Sequence, residues 1–273
     1  LDRILAQIEA TEYLGKFSGA TGTFAAHLAA DATQDWPAIS NKFVTSLGLT
    51  WNPLTTQIES HDWQAELYSR ISHANRVLHN LCTDVWTYIS MGYFRQIPQP
   101  GATGSSTMPH KINPIRFENA EANLELSSAL LDSLAATLVT SRLQRDLTDS
   151  TTQRNIGVAL GHSLLALDNI ERGLKEIDLN RDALAADLDG NWEILGEAIQ
   201  TVIRAEVTAG RSSIADPYAI LKELTRGKRV GQAELVEFID GLDIGADAKA
   251  RLRELTPATY AGLASELVEY LAG

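Results

Sequence analysis

Residues 61–90 read HDWQAELYSRISHANRVLHNLCTDVWTYIS. Apolar side chains recur in this segment at intervals of three or four residues, at Trp63, Leu67, Ile71, Ala74, Leu78, Leu81, Val85 and Ile89. Because an α-helix has 3.6 residues per turn, this spacing places the apolar side chains on one face. The segment is the strongest periodic signal in the chain, and it predicts an amphipathic helix of about eight turns.

Two further runs have the same period. The first starts after Asn113 and contains Ala120, Leu124, Leu131, Leu134 and Leu138. The second contains Ile156, Leu160, Leu164, Leu167 and Leu174. Helices of this length can bury their stripes only against each other or against other chains. Segments with the alternation and β-branched enrichment of strands are almost absent, so the sequence predicts an all-α fold built on long helices.

The long-helix pattern stops at residues 178–182 and again at 189–191, where Asp, Asn and Gly cluster. From Trp192 onward the helical runs are shorter and end at Gly210, Gly227 and Gly241. We therefore expect a bundle domain over residues 1–177 and a small helical C-terminal domain over 178–273. The first residue, Leu1, is not an initiator Met, and residues 1–14 have the pattern of a helix interior. We expect the chain to be the later part of a longer protein.

Composition excludes several classes of protein. The formal net charge is −12 and the pI is about 4.9, which argues against a nucleic-acid-binding surface. No apolar run approaches the roughly 18 to 20 residues needed to cross a bilayer. A single cysteine, Cys82, excludes an internal disulfide and any cysteine-based metal cluster. We therefore expect a cytoplasmic protein without a membrane segment.

The most informative interruption is the segment 97–111, which lies between two of the long helical runs. Four of the eight prolines fall between residues 98 and 114, together with Gly101 and Gly104. Long irregular loops in compact domains are usually functional lids or disordered linkers. Asn113 and Pro114 are typical of the cap and the first residue of a helix, so the loop is predicted to lead into a helix N-terminus.

Residues 104–114 of this interruption read GSSTMPHKINP. They offer hydroxyls, a cation and an amide on one glycine-flanked loop. Such a set can stabilise an oxyanion, but a solvated Ser/Thr-rich loop has the same composition. Residue types alone leave both interpretations open.

The order of these residues resembles the signature of the fumarase/aspartase superfamily, Gly-Ser-Ser-x-Met-Pro-x-Lys-x-Asn-Pro, at all eight fixed positions. Members of that superfamily break a C–N or C–O bond and release fumarate, without a metal or cofactor, on a long-helix bundle. The resemblance implies that Ser105 is the general base. It also implies that Lys111 and Asn113 hold the carboxylate on which negative charge builds, where each donor is worth roughly 3 kcal/mol. His110 occupies a variable position, where contact with substrate and a structural role are equally expected.

Within the superfamily the chain resembles the adenylosuccinate lyase family of the bacterial type. The resemblance lies in residues 16–22 (KFSGATG), 43–48 (FVTSLG), 51–53 (WNP) and, above all, 141–151 (SRLQRDLTDST) with Arg154 close behind. It implies that Arg145, Ser150 and Arg154 bind a nucleotide phosphate and nearby groups, since guanidinium suits phosphate oxygens. The other substrate-binding positions that it implies are Gln57, Ser106, Asn119, Thr151, Thr152 and Gln153. The alternative for the arginines is ordinary ion pairing with Asp146 and Asp149.

The activity implied by this resemblance is elimination of fumarate from adenylosuccinate, giving AMP, and from succinyl-aminoimidazole-carboxamide ribotide. It also implies a homotetramer whose subunits share active sites. The family's general acid is a histidine in a Thr-His-Gly-Gln-like segment, which does not occur in the 273 residues. We therefore expect this chain alone to be nearly inactive. Two alternatives remain, an argininosuccinate lyase-like enzyme and a non-catalytic helical scaffold.

Overall fold

The structure is a computed structural model that describes residues 1–97, 113–225 and 230–272. The helices in chain order are α1 Asp2–Glu9, α2 Ala25–Ala30, α3 Trp36–Ser46, α4 Asp62–Ser90, α5 Ile115–Leu138, α6 Thr148–Thr152, α7 Ile156–Lys175, α8 Arg181–Asp189, α9 Gly196–Thr208, α10 Pro217–Thr225, α11 Gln232–Gly241, α12 Ala246–Glu254 and α13 Ala264–Leu267. The strands are β1 Leu14–Gly15, β2 Thr50–Trp51, β3 Phe94–Gln96 and β4 Ile177–Leu179.

The all-α prediction is confirmed. Strands in the described ranges contain only two or three residues each, and they form two small pairings, a parallel one of β1 with β2 and one of β3 with β4. The chain divides into two compact units, Leu1–Asp178 and Leu179–Gly273. None of the described helices is both long and apolar enough to cross a membrane.

The first unit is built on α4, α5 and α7, which correspond to the three periodic runs. Side-chain contacts between α4 and α5 show that the two helices are antiparallel. Ser72 hydrogen-bonds Asp132 at 2.8 Å near one end, and Trp86 Nε1 donates to Glu118 at 3.2 Å near the other. Two apolar clusters lie between the helices, and their buried members are Tyr68, Leu131, Leu134, Leu138 and Ala159 in one and Cys82, Val85, Phe117, Ala120, Leu124, Ala166 and Ile170 in the other.

A polar layer lies at the centre of the bundle. Asn75 Nδ2 donates to the hydroxyls of Ser127 and Ser163, both at 3.0 Å, and Ser163 Oγ donates to Asn75 Oδ1 at 3.1 Å. All three side chains are buried, so the partners must meet at one axial alignment to satisfy each other. The layer therefore fixes α4, α5 and α7 in a common register.

Helix α7 packs differently from what its leucine stripe suggests. Its buried residues are small or polar except for Ile170, and they are Ala159, Ser163, Ala166, Asn169, Ile170 and Gly173. A Cβ at Gly173 would lie 2.8 Å from Phe117 Cζ, so glycine permits the close approach to α5. The predicted stripe residues Leu164, Leu167 and Leu174 point outward, with Leu164 67% exposed. An apolar face of α7 is thus uncovered in the single chain.

Two helix boundaries differ from the prediction. The helical pattern over residues 1–14 ends early, because α1 stops at Glu9 and Leu14 already belongs to β1. Asn113 is not the cap of α5. The helix starts at Ile115, and Pro114, whose ψ of 54° is not helical, takes the cap position without a side-chain hydrogen bond.

The second unit contains the shorter helices and has its own core, whose most deeply buried members are Leu195, Ile199, Ile203, Ile239 and Leu252. Glu206 is buried in it and accepts hydrogen bonds from Arg211 and from the backbone N–H of Gly245. These bonds hold the pKa of the Glu206 carboxyl below its usual value, with the Arg211 contact as the main cause. The ends of α9 and α11 lie at Thr208 and Gly241.

Candidate functional site

The structure places the described candidate residues at two ends of the bundle. Gln57, Arg145 and the segment 150–154 lie where α4 begins and α5 has ended, whereas Asn113 and Asn119 lie at the start of α5. Asn119 lies on α5 beside Glu118, which accepts a hydrogen bond from Trp86 on α4. Along the bundle axis, Asn119 is therefore at the level of Trp86. At 1.5 Å per residue, about 24 residues of α4 separate that level from the first group by about 35 Å. One chain therefore does not bring the two groups together.

A buried carboxylate organises the loop that carries Gln57. Glu59 is 9% exposed. Its Oε2 accepts from the backbone N–H of His61 at 2.9 Å and from Trp63 Nε1 at 3.0 Å. Its Oε1 accepts from Asn52 Nδ2 at 3.1 Å and from the hydroxyl of Ser60 at 3.3 Å. These bonds hold the loop to the start of α4, where His61 has a left-handed backbone with φ of 64°.

A lysine joins the same loop to the turn at residues 16–22. Lys16 Nζ donates to the carbonyl oxygens of Gly19 at 2.9 Å, Thr56 at 3.2 Å and Gln57 at 2.6 Å. Partial burial lowers the pKa of Lys16 from its usual value. A Cβ at Gly22 would lie 1.9 Å from the carbonyl oxygen of Thr55, so only glycine allows this contact. Gln57 itself is exposed. Its position is set by the backbone contacts of its loop, the bond from Lys16 to its carbonyl oxygen and the close approach of Thr55 to Gly22.

Asp149 is the centre of the cluster around Arg145. Its side chain is 10% exposed. Asp149 Oδ2 lies 3.4 Å from His61 Nε2 and 3.5 Å from an Nη atom of Arg145, and Oδ1 accepts from the backbone N–H of Ser150 at 2.7 Å. The carboxylate thus connects the start of α4 to the loop and helix that carry Arg145 and Ser150.

Both ion pairs expected in the alternative interpretation are present, but they differ in environment. Arg142 pairs with Asp146 at 3.1 Å, and the Arg142 side chain is 74% exposed. Arg145 is only 29% exposed, and its Nε atom is buried without a hydrogen-bond partner in the described chain. A buried N–H without a partner is unfavourable unless a ligand supplies an acceptor. Arg145 is therefore more than a solvated surface charge.

The segment that follows completes this end of the bundle. Ser150, Thr152 and Gln153 are half-buried, whereas Thr151 and Arg154 are exposed. Gln153 Nε2 donates to Gln64 Oε1 at 3.5 Å, which joins the short 3₁₀ turn after α6 to α4. The exposed Arg154 adds a second guanidinium to the same segment.

The other group lies on α5. Asn119 is half-buried, and both its backbone and side-chain oxygens accept from Asn123 Nδ2, at 2.8 and 3.1 Å. Asn123 in turn lies 2.7 Å from His162 Nδ1 on α7. The amide of Asn119 is held by its oxygen, which orients its NH₂ group. Asn113 is exposed before the helix starts. The candidates Ser105, Ser106 and Lys111 lie outside the described residues, as does most of the predicted loop 97–111.

Sequence reasoning missed several residues that hold these groups in place. Glu59, Lys16 and Asp149 hold these groups through partners up to 88 positions away in the sequence. His61 occupies the cap position of α4, but its side chain makes no cap hydrogen bond and pairs with Asp149 instead. Within 1–97, 113–225 and 230–272, no group of three or more His, Cys, Asp or Glu side chains could hold a metal ion.

Comparison with known proteins first defines the class. The family model described as "Lyase" matches residues 2–126. A crystal structure of 3-carboxy-cis,cis-muconate lactonizing enzyme from Pseudomonas putida has a similar fold, with a TM-score of 0.72 over 98% of this chain and 59% of that one. Its sequence identity is 21%, so this likeness concerns the fold. The bundle is that of the lyase superfamily.

The particular family follows from the remaining matches. The family model "Adenylosuccinate lyase C-terminal" matches residues 141–261. The chain is 49% identical over 271 residues to adenylosuccinate lyase of Escherichia coli K12 and 50% identical over 272 residues to that of Vibrio cholerae, in both cases over 99% of this chain. The chain belongs to the adenylosuccinate lyase family. It spans 58% of the length of these two relatives.

Proposed function

We propose that this chain supplies the central and C-terminal parts of a carbon–nitrogen lyase that eliminates fumarate from adenylosuccinate and from succinyl-aminoimidazole-carboxamide ribotide. The observation that carries the proposal is the pair Arg145 and Ser150 on Asp149, in a chain that also has the complete signature at 104–114. Gln57 joins this group through its backbone N–H, which donates to the carbonyl oxygen of Gln144 at 3.4 Å. The cluster offers guanidinium and amide donors for a nucleotide, and the signature offers the base and the carboxylate-binding groups.

In this proposal Ser105 removes a proton from the carbon next to a carboxylate of the substrate. The electron pair left on that carbon is delocalised into the carboxylate, where Lys111 and Asn113 bind the developing charge. Expulsion of the amine from the neighbouring carbon then forms the double bond of fumarate. The step needs a proton donor for the leaving nitrogen. Removing such a donor typically lowers the rate by ~10² to 10⁴, so residues 1–273 alone are expected to be nearly inactive.

We further propose that the active enzyme is a homotetramer with shared sites, in the cytoplasm. Two observations support assembly. The described site residues lie about 35 Å apart in one chain, as estimated from the helical rise, so a complete site requires parts of different copies. Exposed leucines on α7 also leave an apolar face that another chain can cover, since soluble monomers rarely expose such contiguous patches. We also propose that residues 1–177 and 178–273 are separate domains of each subunit.

Two other functions fit less well. An argininosuccinate lyase-like enzyme would share the signature but has no use for the 141–154 cluster around a nucleotide phosphate. A non-catalytic scaffold would need neither the signature residues nor the buried Nε of Arg145. Neither alternative explains why the two groups occur in one chain.

The test is fumarate release by this chain extended with the reading frame upstream of Leu1, with adenylosuccinate and argininosuccinate assayed in parallel. We expect release from adenylosuccinate only, and loss of that release by at least a hundredfold in Ser105→Ala. Release from argininosuccinate alone would favour the alternative lyase. Release from neither substrate would favour the scaffold.

A further inference from the structure

Asp149 lies between two groups that donate to it from different parts of the chain. His61 belongs to the start of α4, and Arg145 belongs to the loop before α6, yet both approach the same oxygen, Oδ2, at 3.4 and 3.5 Å. The other oxygen is occupied by the N–H of Ser150 at 2.7 Å. Both oxygens of the carboxylate thus face protein donors, and the side chain is too buried to serve as a ligand-binding group itself.

This arrangement restricts the rotamer of Arg145. A guanidinium has five N–H donors in a rigid plane, so fixing one Nη atom on Asp149 fixes the direction of the remaining donors. One of these, the Nε–H, is buried and has no acceptor in the described parts of the chain. The neighbouring pair shows the contrast, because Arg142 is held by Asp146 but is exposed to solvent over most of its side chain.

We propose that Asp149 is a positioning residue that orients Arg145 for the phosphate of a nucleoside monophosphate, with His61 holding Asp149 from the opposite side. Asp149 does not contact the ligand. It acts by fixing the plane of the Arg145 guanidinium, so that the Nη–H donors not engaged by Asp149 already have one direction before the phosphate binds, and phosphate oxygens can accept from them. This inference rests on the proposed function, since the nucleotide is the substrate part that Arg145 would bind.

The Asp149→Asn substitution tests the orientation with little change in volume. An asparagine oxygen can still accept from the N–H of Ser150, but its NH₂ group then faces His61 and Arg145 and cannot accept from Arg145. We expect the Kd for AMP, measured by titration calorimetry on the upstream-extended protein, to rise about tenfold. The matched control is Asp146→Asn, the same change in the adjacent i,i+4 pair, for which we expect a change of less than about twofold.

A double-mutant cycle separates positioning from general damage. If Asp149 acts through Arg145, Asp149→Asn in an Arg145→Gln background will raise the Kd by no more than about twofold over Arg145→Gln alone. If Asp149 has only a structural role, each substitution will raise the Kd by its own factor, and the double variant will show the product of the two factors. If circular dichroism shows that Asp149→Asn is unfolded, Asp149→Glu takes its place in the cycle, because it keeps the charge and only displaces the carboxylate.

The outcomes are distinct. A tenfold weaker affinity that vanishes in the Arg145→Gln background supports the inference. Multiplying effects, an Asp149 variant with the affinity of the Asp146→Asn control, or wild-type protein that does not bind AMP would each overturn it. Fumarate release by the wild-type protein is measured separately. AMP binding without that release would refute the proposed function while leaving the role of Asp149 intact.

Discussion

Substitution of Glu59 by glutamine is the sharpest test of how the Gln57 loop is held. Glu59 accepts four hydrogen bonds, two on each carboxylate oxygen, and it is almost fully buried. Glutamine has one oxygen and one NH₂ group, so only one pair of donors can keep its acceptor. The favourable placement keeps the oxygen towards the backbone N–H of His61 and Trp63 Nε1, since the hydroxyl of Ser60 can rotate and accept instead.

The hydrogen bond that is lost is then the one donated by Asn52. Its Nδ2 would face the new NH₂ group, and its Oδ1 already accepts from the backbone N–H of Leu54 at 3.1 Å, which opposes a flip of the amide. One buried hydrogen bond to a charged acceptor is lost, and one donor is left without a partner. We expect Glu59→Gln to lower the free energy of unfolding by about 2 kcal/mol.

The assay is urea unfolding of the protein followed by circular dichroism, with all variants at one protomer concentration because assembly shifts the midpoint. Glu66→Gln is the control. Glu66 pairs with Arg70 on the same helix but is 63% exposed, so the loss of this ion pair should change the free energy of unfolding by less than about 0.5 kcal/mol. Equal stabilities of the two variants would show that the Glu59 contacts do not hold the loop.

Two further predictions concern the bundle core. Leu131→Ala on α5 removes a fully buried side chain and should lower the free energy of unfolding in urea by about 3 kcal/mol. The control, Leu126→Ala on the exposed side of the same helix, should change it by less than about 1 kcal/mol. Similar losses for the two variants would contradict the packing. Burial, with a smaller contribution from the charge of Glu121, raises the pKa of the Cys82 thiol from 9.0 to about 12. The native protein should therefore resist iodoacetamide near pH 8.5 and react after unfolding, and rapid labelling of the native protein would contradict the burial of Cys82. The stability that comes from the protonated thiol should decline as the pH rises from the pKa of the unfolded state towards that of the folded state.

Local periodicity was sufficient to predict the three long helices, because each stripe repeats over many turns. It was misleading about which face of α7 is buried. Hydropathy selects the leucines, but the packing of α7 against α5 depends on close approach at Ala166 and Gly173, and small residues carry little hydropathy signal. Short elements such as α1 and β1 depend on tertiary contacts that no local pattern contains.

The candidate site could be predicted only through resemblance, and the residues that hold it could not. Glu59 and Asp149 look like ordinary surface carboxylates in the sequence. Their burial follows from contacts between distant segments, such as that between His61 and Asp149. The separation of Asn119 from Arg145 also has no sequence signal, since it follows from the antiparallel packing of α4 and α5.

The most direct test is to mix two variants that are each expected to be inactive, Asn113→Ala and Arg145→Gln, in the upstream-extended protein and to measure fumarate release from adenylosuccinate after the subunits have exchanged. If each site takes these two groups from different copies, random exchange at equal amounts restores the pair of native groups in about a quarter of the sites, and activity should approach that fraction of wild type. A mixture no more active than the two variants measured separately would contradict the shared site.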